Sequence, residues 1–154
     1  MKNFNRIDTS KLYPFFLELI TKLVINCEKR GYVFFAICGY RTPEEQSKLF
    51  AQGRSTAGKI VTNAKAFQSF HNFGLAVDFC HDQNHNKEDG LQPDWDMQAY
   101  KVLQEEAHKL GLTSGLDFKS FPEGPHIQYN TSKNLTQLKE YYDKGGLSEV
   151  FIQL

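Results

Sequence analysis

Residues 69–79, Ser69-Phe70-His71-Asn72-Phe73-Gly74-Leu75-Ala76-Val77-Asp78-Phe79, are the stretch on which the reading of this fold turns. Leu75 to Phe79 is a short apolar run and reads as a buried strand. Asp78 is out of place in it, because a carboxylate among Leu, Ala, Val and Phe is costly to bury unless it is paired or bound to a metal. His71 lies at the mouth of the same strand. Gly74 between them allows the backbone to turn back, so that the two side chains can converge. A second stretch, Glu123-Gly124-Pro125-His126-Ile127-Gln128-Tyr129, again places an imidazole at the opening of a short apolar strand, 126–129.

Two imidazoles and one carboxylate form a three-donor set that leaves a fourth tetrahedral position open, as catalytic zinc (Zn2+) requires. Such a metal would bring the pKa of its water to about 7 and polarise a carbonyl. Glu123, three residues before His126 across a Gly-Pro turn, is placed to serve as general base. Taken singly, His71 and His126 read more readily as hydrogen-bonded surface residues than as ligands; Asp78 is the residue that favours a metal. Cys80 shares the face of Asp78 if the strand continues. It is either the fourth ligand of a closed site or, as is commoner for an unpaired cysteine, a buried apolar thiol.

Outward from this centre the chain alternates irregularly. Leu12, Phe16, Leu19, Ile20, Leu23 and Cys27 form a helical stripe, with Thr9 and Ser10 as caps, Pro14 near the first turn and Gly31 at the end. Tyr32 to Cys38 reads as a buried strand. Thr42-Pro43-Glu44-Glu45 combines a capping box with proline at the first helical position, predicting a helix to about Gln52. Residues 53–70 read as a long surface loop. Its Arg54, Lys59 and Lys65 either attract the carboxylates of a ligand or are simply solvated. Met97, Tyr100, Leu103, Ala107 and Leu110 mark a helix closed by Gly111, and Trp95 with this stripe reads as core. Leu135 to Tyr142 is a last helix before Gly145-Gly146. Residues 81–93 are polar and turn-rich. Asp82 to Asn86 resembles the start of a calcium loop, but Lys87 replaces its glycine and Pro93 its final glutamate, so a solvated turn is expected. His81, His85 and His108 are expected to be exposed. With no βαβ spacing and no phosphate-binding glycine loop, the prediction is an α+β domain: a small, mainly antiparallel sheet with flanking helices.

Composition narrows the classes further. A chain of 154 residues is one domain with room for a core. Eighteen basic residues balance eighteen acidic ones, which excludes the basic excess of a nucleic-acid binder. Three cysteines, Cys27, Cys38 and Cys80, form no C-x-x-C pair and predict reduced thiols. The opening Met1-Lys2-Asn3-Phe4-Asn5-Arg6-Ile7-Asp8 has no apolar core of a signal peptide, and no apolar run is long enough to cross a bilayer. Retention in the cytoplasm without membrane insertion is expected, unless another factor lets the protein out.

The pattern Ser69-x-His71, Gly74-x-Ala76-x-Asp78 and Pro125-His126 resembles the LAS/VanY-type zinc peptidases. That group contains D-alanyl-D-alanine carboxypeptidases and dipeptidases, and the L-alanyl-D-glutamate endopeptidases of phage endolysins. Gly39-Tyr40-Arg41-Thr42 with Gln46, Ala51-Gln52-Gly53-Arg54, Val61-Thr62-Asn63-Ala64, Asp117-Phe118-Lys119-Ser120-Phe121 and Tyr141-Tyr142 are similar to the endolysin branch. The resemblance implies a hedgehog/D,D-peptidase-like fold and zinc held by His71, Asp78 and His126. It implies Glu123 as the catalytic carboxylate and Arg41 on the substrate carbonyl and developing oxyanion, a role suited to a planar, permanent cation. Ser69 and Gln46 would support this site or touch substrate. The implied substrate is the peptidoglycan stem peptide, cut at L-alanyl-D-glutamate by a monomeric single domain, residues 1–154, without a wall-binding module. The protein would stay in the host cytoplasm until a separate holin opens the membrane. The branch often has Asp where Glu123 stands and Trp where Phe118 stands. Cleavage at the D-alanyl terminus is therefore the enzymatic alternative. A non-catalytic, zinc-stabilised wall-binding domain is another, against which Glu123 and Arg41 speak.

Overall fold

A computed structural model describes residues 1–84 and 90–154. Part of the 82–93 turn, with His85 and Lys87, lies outside the described residues. Among the described residues the α-helices and strands follow in the order α1 (Pro14–Lys29), β1 (Phe34–Cys38), α2 (Pro43–Ala51), β2 (Ala76–Asp82), β3 (Pro93–Asp94), α3 (Met97–Lys109), β4 (Thr113–Ser114), β5 (His126–Gln128) and α4 (Leu135–Ile152). The strands make one sheet in the order β1-β2-β5-β4, with β3 also paired to β2. All pairings are antiparallel. This is the α+β arrangement expected from the irregular alternation of elements.

The central strand β2 is buried along nearly its whole length, and Asp78 is its one partly exposed residue. Val77 and Phe79 join the main core with Phe16, Ile20, Leu23 and Val24 of α1 and Val102, Leu103 and Ala107 of α3. Alternation then sends Asp78 to the other face. Each fully buried Phe, Ile or Leu of this core contributes about 1.5–3 kcal/mol. A smaller cluster of Phe73, Leu75, Leu138 and Val150 ties α4 to the turn that precedes β2.

Local signals act as their chemistry dictates in α2. Glu45 N donates to Thr42 Oγ1 at 3.1 Å, and Thr42 N donates to Glu45 Oε2 at 2.8 Å. Elsewhere tertiary packing corrects the expectation. Thr9 and Ser10 do not cap α1; they form their own short turn, capped by Asp8, whose Oδ1 accepts from Ser10 N at 3.0 Å. Tyr13 precedes α1 without a side-chain cap, and its N–H donates to the Gly74 carbonyl at 3.0 Å. β2 runs on through His81 and Asp82, which are both buried rather than solvated; pairing with β3 covers this end of the strand. Trp95 and Met97 are 64% and 53% exposed, outside the core. Asp96 caps α3 immediately after Trp95, so the buried face begins only at Ala99 and Tyr100. The chain also does not end its helical course at Gly145-Gly146: it breaks there and resumes, which lets Val150 reach the second cluster. No helix among the described residues is long and apolar enough to cross a membrane.

Candidate active site

Three neighbouring strands bring the site together. In the sheet register Asp78 of β2 lies opposite Cys38 of β1 on one side and His126 of β5 on the other. The β1–β2 register shifts between Ala36 and Cys38. This bulge at Ile37 turns Cys38 toward Asp78, a use of bulges common beside active sites.

His71 arrives from the tight turn Phe70–Phe73, which Ser69 caps by accepting from His71 N at 3.3 Å. Gly74 closes that turn in the left-handed region (φ 68°), and a Cβ there would collide with the Lys11 carbonyl. The glycine therefore serves both the turn and the close passage of the neighbouring chain. Glu123 is fixed by its N–H, which donates to the Gly115 carbonyl at 3.0 Å.

Both imidazoles converge on one oxygen. His71 Nε2 lies 3.2 Å and His126 Nδ1 3.3 Å from Asp78 Oδ1. Each ring uses its other nitrogen on a protein acceptor: His71 Nδ1 to the Gly39 carbonyl at 2.7 Å and His126 Nε2 to Gln128 Oε1 at 2.9 Å. That bonding leaves Nε2 of His71 and Nδ1 of His126 directed at Asp78, the two nitrogens that would carry the lone pairs for a metal once the rings are neutral. Ligand atoms about 2.0–2.1 Å from a tetrahedral zinc stand roughly 3.3 Å apart. The two separations from Asp78 Oδ1 have this length and imidazole and carboxylate donors suit the ion, but among the described residues His71 and His126 fall in different candidate ligand groups. Two groups of candidate ligands share Asp78: Cys38-His71-Asp78 and Asp78-Glu123-His126.

The electrostatics express the same demand for positive charge. Burial disfavours the imidazolium of His71, yet the Asp78 carboxylate outweighs it and raises the pKa to about 10. Burial would likewise raise Asp78, but His71 and His126 hold it well below the usual carboxylate range. Glu123 moves the opposite way: burial pushes its carboxyl up, with Asp78 adding to the effect against His126, His71 and Arg41. Its Oε2 stands 3.8 Å from His126 Nδ1.

Arg41 approaches from the start of α2. Its guanidinium lies 3.7 Å from Asp78 Oδ2, donates to Gln46 Oε1 at 2.9 Å and contacts Cys38 Sγ at 3.2 Å. Gln46 is fully buried and donates onward to the Ala64 carbonyl at 2.7 Å. It stands behind Arg41 and ties it to the loop. A cleft of about 660 Å³ joins Arg41, Ser69, His71, Asp78, Glu123 and His126, and is also lined by Trp95, Phe118 and Phe121.

Three residues at this site were not singled out from the sequence. Cys38, and not Cys80, is the thiol beside the cluster; burial would push it up, but His71 outweighs this and lowers it. Cys80 is buried opposite Phe35 and belongs to neither ligand group. Gln128, two residues after His126 on the same strand face, is found by period-two spacing. Trp95 left no signal, because its exposure depends on where α3 begins. His81 is buried and bonded to Asp94 Oδ2 at 3.1 Å, whereas His108 is exposed as expected and pairs with Asp117 at 2.8 Å. Arg54 is committed to its own loop, donating to the Phe50 and Thr62 carbonyls at 2.6 and 3.1 Å and lying 3.9 Å over the Phe50 ring.

The chain is similar to known proteins. A family model described as VanY, D-alanyl-D-alanine carboxypeptidase, matches residues 9–131. The chain is 33% identical over 128 residues to the peptidoglycan L-alanyl-D-glutamate endopeptidase CwlK of Bacillus subtilis (strain 168), covering 77% of this chain and 74% of that one. Among solved structures, the vancomycin-resistance D,D-pentapeptidase VanY in complex with Zn(II) superposes with a TM-score of 0.59 at 19% identity, over 92% of this chain and 83% of that one. The L-Ala D-Glu endopeptidase ChiX of Serratia marcescens gives 0.53 at 19% identity, over 79% and 83% of the two chains. At such identities the structures speak for the fold alone, which is the expected D,D-peptidase-like one. Since the family model spans most of the chain and the fold concurs, this protein belongs to the VanY family of peptidases.

Proposed function

We propose that this VanY-family peptidase is a zinc-dependent, monomeric peptidoglycan endopeptidase that hydrolyses the L-alanyl-D-glutamate bond of the stem peptide. The observation that carries the reading is the convergence of His71 Nε2 and His126 Nδ1 on Asp78 Oδ1, beside Arg41 and Glu123 in one cleft. His71, Asp78 and His126 would hold the metal. The ion, when bound, supplies a Lewis acid that polarises a carbonyl and acidifies a water molecule.

The chain's own groups then divide the work. Arg41, restrained by Gln46, faces the oxygen of the scissile carbonyl and stabilises the charge that develops there. Glu123 takes a proton from the attacking water on its carboxylate and passes it to the departing D-glutamyl nitrogen as the C–N bond breaks. A carboxyl raised by burial suits both halves of that exchange. Two features favour an endopeptidase. CwlK, a relative at 33% identity, is described as one. Among the described residues that line the cleft, Arg41 is the one lysine or arginine; committed to the carbonyl, it leaves no second permanent cation for a terminal carboxylate. As an endolysin, the protein would depend on a holin for access to the wall.

The test is turbidity loss and muropeptide mass analysis on purified peptidoglycan with wild type, Glu123→Ala and chelated protein. Lysis by wild type alone, with new N-terminal D-glutamate or isoglutamate, is the expected result. Release of D-alanine moves the protein to the carboxypeptidase branch. Folded, zinc-loaded protein that hydrolyses no wall type refutes the enzymatic reading. Turbidity loss in living cells only on co-expression of a holin tests the endolysin setting.

A further inference from the structure

Trp95 is 64% exposed and lines the cleft, yet its ring rests on a buried neighbour. Its ring stacks on Tyr100 at a centroid distance of 6.0 Å and an interplanar angle of 13°. Tyr100 is buried, and its hydroxyl donates to the Asp94 carbonyl and accepts from His81 N, each at 3.2 Å. Tyr100 also packs against Gly124, next to Glu123: the ring lies 3.3 Å from where a Cβ on that glycine would stand. Trp95 is thus coupled to the residue after the proposed proton carrier through one rigid ring. Phe121, 41% exposed, lines the same cleft. Its backbone is held in the left-handed region (φ 55°), a conformation costly for a residue with a Cβ and commonest where function demands it. Both aromatics are exposed and line the cleft, and the mechanism proposed above assigns neither a role.

The substrate supplies a matching surface. In the stem peptide the L-alanine is joined through its nitrogen to the lactyl group of a muramyl sugar. An endopeptidase that cuts L-alanyl-D-glutamate in stems still joined to the glycan must therefore accept a pyranose about two residue lengths, roughly 7 Å, from the scissile carbonyl. A pyranose presents a flat face of C–H groups, and an exposed, fixed aromatic ring is the surface that receives it with least loss of conformational freedom.

We propose that Trp95, with Phe121, forms an aromatic subsite for the N-acetylmuramoyl sugar on the amino side of the scissile bond, and so selects glycan-linked stems over free peptides. The inference rests on the L-alanyl-D-glutamate reading above. Trp95 is the chain's single tryptophan, so intrinsic emission reports on the subsite directly, without turnover.

The first measurement is a fluorescence titration of wild type with N-acetylglucosaminyl-N-acetylmuramoyl-L-alanine, the amino-side product. A saturable change in emission is expected; none up to millimolar ligand overturns the proposal. The second compares kcat/KM on a disaccharide-linked and a free stem peptide for wild type, Trp95→Ala, Trp95→Phe and Phe121→Ala. The wild-type ratio should favour the glycan-linked substrate and fall at least tenfold in Trp95→Ala, mainly through KM, with partial recovery in Trp95→Phe. Phe121→Ala gives the same readout independently should Trp95→Ala fold poorly. A ratio within twofold of wild type in both alanine variants sinks the subsite while leaving the endopeptidase intact. Wild-type products cut elsewhere than L-alanyl-D-glutamate overturn both, and mass analysis tells the two failures apart.

Discussion

Replacing Gln46 by leucine should separate the positioning of Arg41 from everything else at the site. Gln46 is fully buried and makes two bonds: its oxygen accepts from Arg41 at 2.9 Å, and its amide donates to the Ala64 carbonyl at 2.7 Å. The first is charge-assisted and is worth about 1.5–3 kcal/mol; the second is neutral and worth about 1 kcal/mol. Arg41 keeps 15% exposure and the Ala64 carbonyl is only part-buried, so water recovers some of both. A net loss of about 2–3 kcal/mol follows, lowering Tm by roughly 5–10 °C in a chain of this size. Leucine fills the volume without accepting a bond, freeing the guanidinium to rotate toward Asp78. Misplacing a group by about an ångström costs up to a hundredfold in rate, so kcat should fall ten- to a hundredfold, with a smaller change in KM. Gln46→Glu restores an acceptor for Arg41 but not the donor for Ala64, and should recover most of kcat while remaining less stable. The assay is thermal melting with steady-state kinetics, at a temperature where all variants are folded and metal content is matched. A folded Gln46→Leu protein with wild-type kcat would show that Arg41 either needs no such restraint or has no role at the carbonyl.

Three further outcomes follow from the same structure. Gly74→Ala must place a Cβ against the Lys11 carbonyl in a left-handed conformation; at about 1–2 kcal/mol for the backbone alone, plus the clash, Tm should drop by about 5 °C or more, and an unchanged melt would contradict the geometry. Because the Glu123 carboxyl is raised, the acid limb of kcat/KM should lie above the usual carboxylate range: protonation as pH falls removes the base and the rate drops tenfold per pH unit. A limb unaltered in Glu123→Gln would assign it to another group. Glu106 is buried, accepts from Lys109 at 2.7 Å and Arg30 at 2.9 Å, and has its pKa lowered, chiefly by the Lys109 bond. A depressed carboxylate stabilises the fold above its unfolded pKa and ceases to as pH falls through the folded one. Glu106→Gln should thus cost about 1 kcal/mol near pH 7, given the exposed partners, and the gap in Tm should close as pH falls through and below the usual carboxylate range; a gap independent of pH counts against the ion pairs.

Elements set by neighbours in sequence were legible without coordinates. The capping box at Thr42 and Glu45 needs only four residues, and Pro43 and Glu45 place the start of α2 without reference to the rest of the chain. The stripe from Phe16 to Cys27 is one face of α1, and β2 was foreseen from its apolar run. Gly74 was legible as the reversal between His71 and Asp78 because a chain that doubles back so tightly needs a residue without a Cβ. Where the reading failed, the cause was contact between distant segments. His81 looked solvated among polar neighbours, but β3 pairs across it. Trp95 looked like core, but the Asp96 cap starts α3 just beyond it.

Sequence by itself determined the chemistry available to this protein: a carboxylate in an apolar strand, two imidazoles at strand mouths, an arginine at a capped helix start and a glutamate beside Gly124 and Pro125. Those features are local, since residue type and short-range spacing dictate them. Tertiary structure alone decided which groups meet. Antiparallel register puts Cys38, Asp78 and His126 side by side on three strands, and the bulge at Ile37 selects Cys38 over Cys80. Burial of Gln46 aims Arg41, and the stack on Tyr100 leaves Trp95 at the cleft. Register is a choice among pairings of strands that share the same alternation. Only the packing of both sheet faces makes it unique, because a slip of one residue would send the Asp78 carboxylate into the core and Val77 and Phe79 into the cleft.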